Sequence, residues 1–138
     1  MFVSFGEMMM RLSPPGVERF EQAEGFVRYF GGAEANTAIA LSQWGEETSF
    51  VSVLPDNPLG RACKNELRRW GVGVKDVHMD ASSGARLGLY FCENGVSKRP
   101  SQVVYDRAGS SFAGSKAICF DWNRILQLRY LGENEKQE

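Results

Sequence analysis

Two short segments of this 138-residue chain carry the residue types best suited to chemistry. The first is Gly31-Gly32-Ala33-Glu34-Ala35-Asn36, where two glycines stand between an extended stretch and a helical one. Glycines at such a junction let the backbone approach a ligand with no Cβ in the way. A helix start adds free N–H groups that suit an oxygen-rich ligand. Asn36, in the first turn, can both donate to and accept from hydroxyls. The segment is neither a dinucleotide fingerprint nor a phosphate loop, because no Lys-Ser/Thr pair follows it. A tight turn packed against a sheet accounts for the same residues. The second segment is Tyr105-Asp106-Arg107. An arginine can grip a carboxylate with two hydrogen bonds, and a tyrosine offers a hydroxyl and a flat apolar face. Tyr90, in the preceding extended stretch, could flank the same space. The competing account is a surface ion pair between Asp106 and Arg107, with ordinary cross-strand aromatics.

Composition narrows the partners. Hydrophobic residues make up 43% and charged residues 24%, the balance of an ordinary globular domain. Acidic and basic side chains number 17 and 16, leaving a formal charge of -1. No strong field steers the chain toward nucleic acid or an anionic membrane. Cys63, Cys92 and Cys119 are odd in number and widely spaced, so three reduced thiols are expected, not a disulfide framework or metal clip. His78 is alone, which leaves little basis for zinc or histidine-dependent catalysis. No metal ligand and no catalytic residue is assigned. No basic segment followed by an apolar run opens the chain, and no stretch reaches the length of a membrane span. A cytoplasmic location is the expectation.

The elements that must position these residues follow from the apolar pattern. Phe2 to Leu12 reads as one largely buried strand stopped by Ser13-Pro14-Pro15-Gly16, with Met8-Met9-Met10 as core filler. Phe26 to Phe30 reads as a second, aromatic strand. Ala33 to Trp44 is helical and apolar on two sides, which predicts burial between layers, with Gly45 as its C-terminal cap. Thr48 to Leu54 is a strand. Asn57 is a candidate N-cap with Pro58 at the first helical position. The following helix turns Leu59, Ala62, Cys63, Leu67 and Trp70 to one face. Val72 to Met79 is extended again, with His78 on its surface. Alternating strands and helices imply βαβ units and a mainly parallel sheet. Arg86 to Cys92 and Gln102 to Arg107 flank Glu93-Asn94-Gly95, a hairpin signal that makes an antiparallel flap. A last helical piece follows Trp122, and the polar end from Gly132 is expected to fray.

Four blocks together resemble one family. Phe5-Gly6-Glu7-Met8-Met9-Met10-Arg11-Leu12-Ser13-Pro14-Pro15 is similar to the opening of bacterial 2-keto-3-deoxygluconate kinases. The Gly-Gly-Ala-Glu-Ala-Asn segment, Leu54-Pro55-Asp56-Asn57-Pro58-Leu59-Gly60, and Val104-Tyr105-Asp106-Arg107-Ala108 follow in the family's order. The resemblance runs from about Val3 to Ile125 and covers the N-terminal part of a ribokinase-like carbohydrate kinase. It implies an α/β fold: a partial doubly wound sheet with a small antiparallel β-lid. Residues 1–125 would form the sugar-binding part, with lid segments at about 17–30 and 86–107, and residues 126–138 a divergent polar tail. Gly32, Ala33, Glu34, Ala35 and Asn36 would hold sugar hydroxyls from the floor of the site. Tyr90 and Tyr105 would line its lid side, and Arg107 would meet a carboxylate or the transferred phosphate. The resemblance also implies a sugar-acid ligand, a homodimer formed through the lid, and no nucleic-acid or membrane partner. The family uses ATP and Mg, and its G-A-G-D type motif occurs nowhere in these 138 residues. Neither ATP nor Mg is therefore expected to bind this chain well, and the chain alone is expected to be inactive. A non-catalytic sugar-binding or dimerisation module, or a kinase fragment for fructose or ribose, are the alternatives.

Overall fold

The computed structural model describes residues 1–126. Its elements run β1 (Phe2–Phe5), β2 (Met9–Ser13), β3 (Val27–Gly31), α1 (Ala33–Gln43), β4 (Thr48–Pro55), α2 (Pro58–Arg69), β5 (Val77–Asp80), β6 (Leu89–Glu93) and β7 (Gln102–Asp106). A 3-10 turn at Ala117–Cys119 and a helical turn over 122–126 complete them. The expected tail, apart from Leu126, lies outside the described residues.

Two sheets result. In one, β4 lies between β1 and β5 and pairs in parallel with both. The other has the order β3-β2-β6-β7. Its outer pairings are antiparallel, while β2 and β6 run parallel at its centre. The lid is thus mixed, not purely antiparallel, because its two halves come from distant parts of the chain. The single strand expected over Phe2 to Leu12 is two strands. Gly6, Glu7 and Met8 break the ladder, so that β1 stays in the parallel sheet and β2 crosses into the lid. Met8, Met9 and Met10 are all buried, as core filler should be.

Every residue of β4 is buried, as a central parallel strand requires. Phe50 and Leu54, on one of its faces, join Ala35 and Ala38 of α1, Cys63 and Leu67 of α2, and Met8 in the main core. Side chains alternate along a strand, so Val53 points the other way. There it meets the stretch from Gly109 to Cys119 around a second concavity. Asp76 ties this layer down: it takes an ion pair from Arg124 and a hydrogen bond from Ser49 Oγ at 3.5 Å.

The helices follow their sequence signals with two corrections. Asn57 caps α2, its Oδ1 accepting from the N–H groups of Leu59 and Gly60 at 3.0 and 2.9 Å. Gly45 and Gly71 take positive φ after α1 and α2, the left-handed exits that glycine permits. The second apolar side of α1 is not buried between layers: Ala40 and Leu41 are half-covered and Trp44 is 78% exposed. Only Cys63 and Leu67 of the expected α2 stripe are buried side chains, while Leu59 and Trp70 reach solvent. His78 is exposed on β5. The hairpin exists, but Asn94-Gly95 opens a longer connection closed by Gly95 N–H donating to Ser101 Oγ and by a Val96–Arg99 bridge.

Candidate functional site

Three element ends converge where the two sheets meet: the β1–β2 junction, the start of α1, and the chain leaving β7. They enclose a cavity of about 340 Å³. Its wall consists of Gly6, Glu7 and Met9, then Gly32 to Glu34, then Tyr105, Arg107 and Phe112. Gly32, Ala33, Glu34, Tyr105 and Arg107 of the expected set therefore line one space. Tyr90 stands next to it. Its ring stacks on Tyr105 at 5.9 Å between centroids, and its hydroxyl sits 2.8 Å from where a Cβ on Gly31 would lie. Asn36 is exposed on the first turn of α1, and its Oδ1 lies 3.8 Å from that same point. The Ala35 side chain is fully buried in the main core and is no part of the cavity wall, while its backbone N–H belongs to the first turn of α1. Only the side chain is excluded by this, because position 35 falls on the helix face turned inward.

Gly32 lines the cavity and also makes a second close approach. A Cβ on Gly32 would come within 2.1 Å of the Glu7 carbonyl oxygen. The missing side chain makes room for the β1–β2 junction, so the close approach is backbone to backbone. The α1 N-terminus itself has no side-chain cap, which leaves its first N–H groups available at the cavity. Ser4 Oγ donates to the Glu34 carbonyl at 2.9 Å and fixes that turn to β1.

Asp106 and Arg107 do not pair with each other. Arg86 takes Asp106 in an ion pair at 3.0 Å and donates to the carbonyls of Asp106 and Ala108 at 2.8 and 3.2 Å. Arg107 instead lies 2.8 Å from Glu7, with half of its own side chain exposed and Glu7 almost wholly buried. Ser110 Oγ donates to the other Glu7 oxygen at 2.6 Å. Glu7, Arg86 and Ser110 escaped the sequence reading. The available signal for Glu7 was a lone acid inside an apolar run, directly after a glycine.

Across the lid, Tyr29, Arg11, Tyr90 and Tyr105 stand in register on four strands. The Arg11 guanidinium lies 4.2 Å from the Tyr29 ring centroid. Burial pushes the Tyr90 hydroxyl above the usual tyrosine range, against the opposing pull of Arg11. Tyr90 is therefore a neutral phenol, able to donate, at any ordinary pH.

A second concavity, of about 330 Å³, lies behind Ser110 and is walled by His78, Asp80 and the serines of two loops. Hydrogen bonds from Ser82 and Ser111 hold Asp80 below the usual carboxylate range.

A parallel sheet joined at one end to a four-stranded lid, with a polar cavity at the joint, defines a ribokinase-like α/β fold. The model of the pfkB family of carbohydrate kinases matches residues 1–131, and the chain belongs to that family. A 2-dehydro-3-deoxygalactonokinase of Haloferax volcanii is 44% identical over 109 residues, covering 79% of this chain and 33% of that protein. The crystal structure of 2-dehydro-3-deoxygluconokinase from Thermotoga maritima superposes with a TM-score of 0.86 at 48% identity, over 91% of this chain and 38% of that one. A fructokinase of Solanum lycopersicum is 39% identical over 93 residues, covering 66% of this chain and 27% of its own length. The chain thus spans about a third of the length of these relatives.

Family members generally work with ATP and Mg. The cavity wall does not suit the phosphates of ATP. Its cation, Arg107, already faces Glu7, and two of its side chains are carboxylates. Among the described residues no three His, Cys, Asp or Glu side chains gather to hold a metal ion. Among the described residues, also, no helix is long and apolar enough to cross a membrane.

Proposed function

We propose that this chain is the sugar-binding part of a kinase acting on a 2-keto-3-deoxy sugar acid. The observation that carries the reading is Arg107, half-exposed, on the same cavity as the uncapped start of α1. The free edge of its guanidinium can take the ligand carboxylate, the one group that separates a sugar acid from a neutral sugar. The α1 N–H groups, with Asn36 beside them, suit hydroxyls at the floor. Tyr105, backed by Tyr90, supplies a flat wall on the lid side. The names borne by the similar proteins from Haloferax volcanii and Thermotoga maritima support the same ligand class.

Phosphoryl transfer asks for more than this cavity offers. In that reaction ATP with Mg supplies the phosphoryl group and screens its charge, and a base takes the proton of the attacking hydroxyl. No G-x-G-D stretch occurs in these 138 residues. Asp106 is bound to Arg86, and Asp121 is exposed with Arg124 at 3.7 Å. The chain by itself binds sugar and does not phosphorylate it. The outermost lid strand β7 is exposed on both faces, which supports pairing of two lids in a homodimer.

One observation favours a second reading, a neutral sugar such as fructose. Glu7 and Glu34 place two carboxylates around Arg107, so the wall carries a net negative charge. Titration calorimetry with 2-keto-3-deoxygluconate, 2-keto-3-deoxygalactonate and fructose separates the readings. The first expects the acids to bind more tightly than fructose, and an ATP-dependent assay to stay at the no-enzyme level. Fructose as the preferred ligand, or turnover of any of these sugars, would overturn it.

A further inference from the structure

We propose that Glu7 is a positioning residue that sets the Arg107 guanidinium for a ligand carboxylate. The inference rests on the sugar-acid reading and adds to it the residue that aims its recognition group. Glu7 sits at the only bend between β1 and β2, where the chain passes from the parallel sheet to the lid. Its side chain is almost wholly buried, with 6% of the residue exposed, a burial that acids reach only when paired. A carboxylate in that position needs compensation, and two partners supply it from the same stretch of chain. Ser110 Oγ donates to Oε1 at 2.6 Å, and Arg107 Nη2 approaches Oε2 at 2.8 Å.

The carboxylate has little freedom. A Cβ on Gly88 would lie 2.4 Å from Oε1, so the β6 approach closes on it from the lid side. The Glu7 carbonyl packs on Gly32 from the α1 side. Glu7 is therefore fixed by three segments, while Arg107 is fixed by Glu7 and otherwise half in solvent. A long side chain held at one nitrogen by a rigid acid keeps its remaining donors pointed in one direction. The contact to Oε2 is an ion pair without an aligned hydrogen bond, and no other donor reaches that atom. Oε2 is committed to Arg107 alone.

Simple charge accounting predicts the opposite role. If Glu7 only neutralised Arg107, removing its charge would raise the affinity for an anion. Glu7→Gln keeps the shape of the side chain and removes the charge, so the two roles give opposite signs. Positioning predicts that Glu7→Gln weakens binding of 2-keto-3-deoxygluconate about tenfold, the scale of one charge-assisted contact. It predicts no change for fructose, which has no carboxylate to meet Arg107. A general packing defect would weaken both sugars alike.

The experiment combines calorimetry with the 15N signal of the Arg107 guanidinium, assigned by its loss in Arg107→Met. In the unmutated chain the Arg107 Nη–H signals should lie apart from those of free arginine side chains, with no sugar present. They should collapse onto the latter in Glu7→Gln, and Glu7→Gln should have no further effect on acid binding in an Arg107→Met background. Tighter acid binding by Glu7→Gln, equal weakening of both sugars, or a free-arginine signal in the unmutated chain would each overturn the inference. If Glu7→Gln does not fold, the signal in the unmutated chain still decides. If no sugar acid binds at all, the sugar-acid reading fails while the guanidinium signal still reports whether Glu7 holds Arg107.

Discussion

Gly32 shows how one residue shapes a site through its backbone. Its Cα faces the Glu7 carbonyl so closely that an added methyl group would come within 2.1 Å of the oxygen. Backbone on backbone cannot be relieved by a rotamer change, so Gly32→Ala must part α1 from the β1–β2 junction. Overpacking of this kind costs about 1–3 kcal/mol. Urea unfolding should show that loss, and unchanged stability would mean the two segments separate freely. Cys63 gives a second prediction at this scale. Burial pushes its thiol from the ordinary 9.0 up to about 12, because the thiolate would lose its water between α2 and the sheet. The unfolded chain then releases this proton first. The stability owed to the protonated thiol is complete below pH 9 and is lost as pH rises toward 12, by at most about 1.4 kcal/mol per pH unit. Cys63→Val should flatten the decline of the urea midpoint over that range, and an identical decline would place its cause elsewhere. The sequence made Gly32, Arg107 and the tyrosines visible because glycine pairs, arginine and aromatics stand out by type. It hid Glu7, whose role lies in contacts to residues 88, 107 and 110, far away along the chain.

At the scale of elements, α2 and its turn were almost wholly legible. Asn57, Pro58 and Gly71 are local signals whose physics acts within a few residues, and the cap forms as their spacing requires. Replacing Asn57 by Ala should cost about 1 kcal/mol, since two helix-end N–H groups lose their acceptor. Thermal unfolding checks this, and the same variant should bind sugar unchanged, because neither Asn57 nor the residues it caps belong to the cavity wall. A loss of sugar binding without loss of stability would mean α2 is coupled to the cavity. The split of Phe2 to Leu12 into two strands was not legible. Both pieces are apolar, and periodicity cannot show that a strand changes sheet when each sheet buries it. Gly6 was the local mark, and the buried acid after it was the stronger one. The mixed lid was hidden for the same reason. Partnering of β2 with β6 joins residues about eighty positions apart, and nothing within either strand states whether the pair runs parallel.

For the whole molecule, the decisive fact is how much apolar surface has no partner. Single exposed apolar side chains are ordinary on soluble proteins, but contiguous ones mark contact sites. Beside β1 they are contiguous. Phe5, 46% exposed, packs on Phe112, Phe120 and Trp122 with ring centroids 5.4 to 5.5 Å apart. Phe2, on the opposite face of β1, is 40% exposed, and Met1, Val3, Ile125 and Leu126 surround a hollow near the start of the strand. Trp44 and Ile118 add larger exposures elsewhere. Among the described residues β1 pairs with β4 alone, so its other edge offers unpaired N–H and C=O groups beside this apolar row. An edge of that kind recruits further chain. The expected behaviour of the isolated polypeptide is therefore reversible self-association that grows with concentration, beyond any pairing through the lid. Sedimentation velocity across a concentration series should show a rising weight-average coefficient. Phe5→Lys should reduce that rise, because a charge in the aromatic row makes burial of a second copy costly. Ile118→Lys, at a solitary exposed residue, should change it little. A strictly monomeric species at high concentration would show that this edge is already covered, and the account of an open sheet would then be wrong.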